Sequence, residues 1–380
     1  MPNFALTVSC VSTIGIVAAI STCLAEHDCN ITDSAQFDDP ITGAFFTRVS
    51  FKSPDAMDMD DLRARFNETA AQFKMDWAIH DQATKMKVAI RVSRFGHCLN
   101  DLLYRWRIGA LQIDIVAVIS NHTDYQKLVV NHDIPFHHIK VTKENKPDAE
   151  ARIMQVIEES DAELVILARY MQILSDQMCQ KMSGRIINIH HSFLPSFKGA
   201  NPYKQAFERG VKLIGATAHY VTADLDEGPI IEQDTIRVTH AQSASDYVTL
   251  GRDVEAQVFA RAIHAHIHHR VFQNGDKTVV FDSGEVALAG GSDLMLSAVP
   301  NTDAGAQSPV SLLLADGDGV SVIADANETS HLRVVHAVDD APLVDVLLGS
   351  NPAAGFTDIA FKQFRSGELA AGSYDISVAA

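Results

Sequence analysis

KVAIRVS (87–93), DIVAVISN (114–121), ELVILA (163–168) and IINIHH (186–191) are short runs dominated by Val and Ile. Helical stretches lie between them, for example Asp148–Ser160. Such near-continuous apolar runs belong to strands buried on both faces, as in a parallel sheet covered by helices on both sides. An α/β domain built on a parallel sheet is therefore expected over 85–281. Its reactive groups should sit on loops at the carboxyl ends of the strands.

Upstream, residues 1–82 read as a smaller α/β unit. FALTVSC (4–10) alternates as a strand, and Gly15 opens a helical stretch through Leu24. CNITDSAQFDD (29–39) and GAFFTRVSF (43–51) read as paired strands about a turn at Pro40–Gly43. A second helix over Asp58–Phe73 places Leu62, Phe66 and Phe73 on one face. The order β-α-β-β-α is most of a ferredoxin-like module.

Downstream of Phe281 the composition breaks. Residues 282–380 hold 3 Lys+Arg against 14 Asp+Glu, a net of −11 out of −17, so the first 281 residues carry −6. Short apolar runs such as VSLLLA (310–315), HLRVVHA (331–337) and LVDVLLG (343–349) alternate with Gly, Pro and Asp turns. An acidic all-β, sandwich-like tail domain is expected there.

At 380 residues the chain is long enough for two or three cores. The net negative charge argues against general nucleic-acid binding, which needs clustered cations to neutralise phosphates. Five cysteines (Cys10, Cys23, Cys29, Cys98 and Cys179) are odd in number and lack a CxxC pair, so they read as reduced thiols. The apolar stretch 4–24 has no Lys or Arg before it, is broken by Ser9, Ser12, Thr13 and Gly15, and is too short to span a bilayer. A cytoplasmic protein without a membrane partner is expected.

INIHHSFLPSFKG (187–199) and AHYVTADLDEGPIIEQD (218–234) carry the chemistry. The first is a strand presenting Asn188 and His190 on one face, two residues apart, before a turn at Leu194–Pro195. The second is a strand that breaks into a polar loop ending at Asp226-Glu227-Gly228. An amide, an imidazole and a carboxylate on strand ends suit formyl transfer or formyl hydrolysis. Asn188 can donate to an oxyanion, His190 can shuttle protons, and Asp226 can hold the imidazole or a water. In HAHIHHR (264–270), His264 and His268 stand at i, i+4 without a third ligand, so a solvated helix is expected there rather than a metal site.

With those motifs, residues 1–281 resemble the formyltetrahydrofolate deformylase family, within the wider group of glycinamide-ribonucleotide and methionyl-tRNA formyltransferases. The resemblance implies Asn188, His190 and Asp226 as the catalytic set, with His191 in support. It also implies a Rossmann-like formyltransferase fold for 85–281 and a pterin pocket along LVILARYMQIL (164–174), closed by the 222–228 loop. Arg169, Tyr170, Met171, Thr222, Leu225 and Gly228 would bind substrate, while Ile173 reads as core packing. Deformylases hydrolyse 10-formyltetrahydrofolate to tetrahydrofolate and formate, which balances the one-carbon pool for purine synthesis. No cofactor or metal is implied, and a homo-oligomer is expected.

A formyltransferase acting on an amine such as glycinamide ribonucleotide is the alternative, and a non-catalytic binding protein is a third reading. Transferases acting on phosphorylated amines need a glycine-rich anion nest after the first strand. Here SRFGHCLNDLL (93–103) offers only Gly96 among Arg94, Phe95 and His97. The 1–82 module resembles an ACT domain, a regulatory fold, through GIVAAISTCLAEHDCNITDSAQF (15–37). VSTIG (11–15) lacks the Asp and Pro of the ACT ligand loop, so a structural role carries over and amino-acid control does not follow. Residues 331–378 resemble a β-sandwich repeat of secreted and cell-surface bacterial proteins. The C-terminal extension of the deformylases is expected to be missing after Val280–Phe281.

Overall fold

The alternating run at the amino end is strand β1 (Asn3–Val11), followed by α1 (Ile16–Glu26), β2 (Asn30–Asp38), β3 (Ala44–Lys52), α2 (Met59–Phe73) and β4 (Asp76–Asp81). This computed structural model describes residues 2–55, 57–195 and 202–281, with eight short strands between 295 and 379. The four strands form an antiparallel sheet in the order β2-β3-β1-β4, so β4 completes the ferredoxin-like pattern. Asp58 caps α2 by accepting from the Asp60 amide, which satisfies an orphan donor of the first turn. Leu62 and Phe66 on its inner face are fully buried, each worth about 1.5–3 kcal/mol of transfer free energy. Phe73 packs against the same core from a partly buried position.

The second sheet is built from β5 (Met86–Val92), α3 (His97–Arg107), β6 (Ile113–Ser120), α4 (Gln126–Val130), β7 (Phe136–His138), α5 (Lys146–Glu159), β8 (Leu164–Ala168), α6 (Asp176–Lys181), β9 (Ile186–His190), α7 (Pro202–Arg209), β10 (Leu213–Tyr220), β11 (Ile230–Arg237) and α8 (Ala244–Ile267). A hairpin of β12 (Val271–Asn274) and β13 (Lys277–Val280) follows. Its seven strands lie in the order β11-β10-β9-β8-β5-β6-β7. Strands β7, β6, β5, β8 and β9 run parallel, as expected, while β10 and β11 extend the sheet antiparallel at one edge. One face packs on α3 and α8 and the other on α5 and α6, which is why β8 is buried at every position.

Helix α8 corrects one expectation. It is held at its start by a Ser243–Asp246 capping box, and Val254, Val258, Phe259, Ala262 and Ile263 bury one side of it in the core. Its end is not a solvated helix, because His264, His266 and His268 are only partly exposed and the Tyr220 hydroxyl meets His266 Nδ1 at 2.7 Å. The His264 and His268 rings lie 4.3 Å apart.

The amino-terminal sheet docks on the segment that follows α8. Arg48 donates to the His268 carbonyl at 3.0 Å, Asn274 donates to Asp39 at 2.7 Å, and the His80 and His269 rings stack at 3.4 Å. Burial lowers the pKa of His80, that of His269 to about 3, and those of His266 and His268 to about 4. Neighbouring cations, Arg48 among them, push the same way at His80, His268 and His269.

These rings are neutral in the fold, whereas the unfolded chain protonates them near pH 6.5. Their contribution to stability is therefore complete above about pH 6.5 and is lost as the pH falls towards 4 and 3. Thermal unfolding should show Tm dropping across that window, less steeply in a His80→Phe/His269→Phe variant. Equal slopes for the two proteins would remove this junction as a cause.

Residues 1–284 and 285–380 are separate compact units. Strands are the only regular elements among the described residues of the second unit, and they form small antiparallel sheets. Met295–Pro300, Val310–Asp316 and Gly319–Ile323 make one, and His331–Val335 pairs with Phe364–Glu368. Asp345–Leu348 lies between Asn351–Pro352 and Ile376–Ala379. Parts of the expected strands at 336–337, 343–344 and 349 lie outside the described residues. Ending the chain after Phe281 should leave folding and activity nearly intact, since a separate unit carries its own core. Precipitation of 1–281 where the full chain stays soluble would count against that independence.

Candidate functional site

Strand alternation places Asn188 and His190 on one face of β9, while Ile187 and Ile189 are buried on the other. Strand β10 runs beside β9 with Asn188 opposite His219 and His190 opposite Thr217. His219 Nδ1 faces the Tyr220 carbonyl at 2.8 Å and must carry the proton there. Its Nε2 is then an acceptor, and the Asn188 amide donates to it at 3.2 Å. This fixes which end of the Asn188 amide bears hydrogens and leaves its second N–H for a ligand. Burial holds the His219 pKa below its ordinary value, so the ring stays a neutral acceptor.

Asp226 sits in the loop between β10 and β11 with φ 57°, a left-handed conformation that Asp tolerates better than most residues. Its Oδ2 lies 3.3 Å from His190 Nδ1 and its Oδ1 3.8 Å from His219 Nε2. Burial works against charge on Asp226, but the His190 hydrogen bond and the surrounding histidines outweigh it and lower its pKa. The carboxylate is therefore ionised and orients the His190 ring. His190 is 5% exposed, and its Nε2 has no hydrogen-bond partner among the described residues. His191 stands 5.2 Å away ring to ring, and burial together with the Arg169 charge pushes it down to about 3, so it stays neutral.

The turn after β9 is fastened by Thr217. Its hydroxyl donates to the Ser192 carbonyl at 2.9 Å and accepts from Leu194 N at 3.0 Å and Gln233 Nε2 at 2.9 Å. All of its hydrogen-bonding capacity is used. The Leu194–Pro195 peptide is cis. The remainder of that motif, residues 196–199, lies outside the described residues.

A pocket of about 370 Å³ opens between 167–174, 188–191 and 219–226. It brings together Asn188, His190 and Asp226 with Arg169, Tyr170, Met171, Thr222 and Leu225. Met171 is 49% exposed and Leu225 58%, forming apolar rims of the kind that receive a flat ring. Ile173 is not core packing. It is 60% exposed and lines the same pocket, because β8 has ended and the chain no longer alternates into the sheet. Gly228 stands apart from the pocket wall. A Cβ there would lie 1.8 Å from the Tyr220 carbonyl oxygen, so it serves the close approach of the loop to β10.

The sequence patterns do not single out His219, Tyr203 or Glu255. Only the quoted AHY run hinted at the first, and the other two sit in ordinary helical sequence. His97, Cys98 and Glu255 present possible ligand atoms within 4.8 Å of one another. Arg169 Nε lies 3.2 Å from Glu255 Oε2, however, and that cation opposes a metal ion at the same carboxylate.

Residues 86–263 match the family described as formyl transferase. The chain is 50% identical to the formyltetrahydrofolate deformylase of Corynebacterium sp. (strain P-1) over 276 residues, 72% of this chain and 96% of that protein. It is 46% identical to the Bacillus subtilis (strain 168) formyltetrahydrofolate deformylase over 279 residues, 73% of this chain and 93% of that one. The solved Burkholderia mallei formyltetrahydrofolate deformylase superposes with a TM-score of 0.72 at 51% identity, over 74% of this chain and 100% of that chain. The whole of that structure has a counterpart here, so the expectation of a missing C-terminal extension is set aside.

Proposed function

From the premise that this chain belongs to the formyltetrahydrofolate deformylase family, we propose that Asn188, His190 and Asp226 perform its reaction. It is an enzyme that hydrolyses 10-formyltetrahydrofolate to tetrahydrofolate and formate, a step of one-carbon metabolism. The observation that carries the residue assignment is the His190 ring, with Nδ1 held by the Asp226 carboxylate at 3.3 Å and a buried Nε2 left for a reactant.

In this reading Nε2 takes a proton from water as the oxygen attacks the formyl carbon. The Asn188 N–H stabilises the oxyanion of the tetrahedral intermediate. Collapse breaks the carbon–N10 bond, and the imidazolium returns its proton to N10. Asp226 stabilises the imidazolium between those steps. The pteridine occupies the pocket rimmed by Met171 and Leu225, with Tyr170 and Thr222 on its walls. Residues 1–82 form an ACT-like module, 85–281 the catalytic domain, and 282–380 a separate β-rich domain. The enzyme works in the cytoplasm as a homo-oligomer.

Incubating the purified chain with 10-formyltetrahydrofolate alone should release formate and tetrahydrofolate in equal amounts. Formate that appears only after an amine acceptor is added would overturn the hydrolase reading.

A further inference from the structure

Next to His190 and His191 lies a polar node that the hydrolytic steps do not use. Glu255, on α8, is 1% exposed and both its carboxylate oxygens are taken. Oε2 accepts from His97 Nε2 at 2.8 Å and pairs with Arg169 Nε at 3.2 Å, while Oε1 accepts from the Tyr203 hydroxyl at 2.8 Å. His97 opens α3 after β5, Arg169 follows β8 with φ 60°, and Tyr203 is on α7, so one carboxylate ties three segments together. Gly251, one turn earlier on α8, admits Tyr203, since a Cβ there would lie 2.1 Å from its ring. Burial opposes charge on Glu255, but the His97 hydrogen bond and the Arg169 cation outweigh it, and its pKa is lowered.

The node backs one wall of the site, to which it contributes Arg169. Arg169 lines the pocket beside His190 and His191, and the His191 ring lies 6.1 Å from that of Tyr203. The loop after β5 is fastened in the same region. Tyr125 donates to the Arg94 carbonyl at 2.8 Å, and Ser93 donates to Asn121 at 2.7 Å while accepting from Met171 N at 3.3 Å. An acceptor carrying an anionic group needs free cations and free donors. On this wall the Arg169 charge is countered by a carboxylate and faces the Phe95 ring, 5.5 Å from its centroid, while Arg169 Nε makes an ion pair and no hydrogen bond among the described residues.

We propose that the Glu255 node is the specificity determinant for hydrolysis: by pairing with Arg169, the one member of the node that lines the pocket, it withholds the cation an anionic amine acceptor would bind, which leaves water as the acceptor. This rests on the assignment of His190 as the proton-transfer residue. Glu255 is a positioning residue in this scheme, acting through Arg169 and the neighbouring loops.

The test supplies the full chain with 10-formyltetrahydrofolate and a large excess of O-phosphoethanolamine, a primary amine bearing a phosphate. Transfer to it would form a carbon–nitrogen bond to the amine and break the carbon–N10 bond, with the amine's proton ending on N10. The ratio of N-formyl product to formate is read, because unfolded protein makes neither product and a general loss of stability leaves the ratio unchanged.

Wild type is expected to give formate almost alone. Glu255→Ala should raise the ratio by about tenfold or more, as expected when a discriminating contact is removed. Tyr203→Phe, which keeps the ring and removes one bond, should raise it less, and Glu255→Ala/Arg169→Met should lose the gain because the freed cation is gone. An unchanged ratio in Tyr203→Phe and in Glu255→Ala overturns the proposal, and if Glu255→Ala does not fold, Tyr203→Phe decides alone. Wild type that releases no formate without amine would instead overturn the hydrolase reading beneath it.

Discussion

His190→Ala should lower kcat by about 10²–10⁴-fold, the usual worth of general acid–base catalysis, while folate binding stays near normal. Its buried Nε2 has no hydrogen-bond partner among the described residues to lose. Asp226→Asn should keep the loop's shape while removing the charge that orients Nδ1 at 3.3 Å and stabilises the imidazolium. Because the two residues act as a unit, the double variant should be little worse than the poorer single one. Multiplicative losses would show independent roles, and wild-type turnover by His190→Ala would remove the assignment altogether. Steady-state kinetics on 10-formyltetrahydrofolate, with formate as the readout, separates these outcomes.

Asn188→Ala should lower kcat by about 10²–10³-fold with KM little changed, as for the loss of one oxyanion donor. Asn188→Asp should be at least as damaging. It replaces the donor with an acceptor, removes the hydrogen bond to His219 Nε2, and sets a second carboxylate near Asp226 and the developing oxyanion. Uniform binding and transition-state binding separate in such data. A loss confined to KM with kcat intact would reassign Asn188 to holding substrate in the ground state.

Much of the central sheet was legible because β5, β6, β8 and β9 are apolar along most of their length, a pattern imposed by helices on both faces. DWAIHD (76–81) escaped notice as a strand, since it carries Asp at both ends and buries only Ile79. The burial of α8 was hidden in a similar way. Its three histidines near the end read as a solvated face, yet Tyr220 and the amino-terminal sheet cover part of them. Ile173 looked like core because its neighbours are apolar, and only the path of the chain after β8 shows that it borders the pocket.

The identity of the chemistry was written locally. Asn188 and His190 share a face because strand residues two apart always do, and the Asp226-Glu227-Gly228 loop marks where the next strand breaks. Partnership was not local. Asp226 reaches His190 across 36 residues, His219 meets Asn188 through an antiparallel register, and Glu255 gathers His97, Arg169 and Tyr203 from three separate segments. Periodicity fixes which way a side chain faces along its own strand or helix. Only the packing of those elements sets which side chain it meets, and hydrogen bonds that require approach to about 3 Å are therefore decided by the tertiary structure.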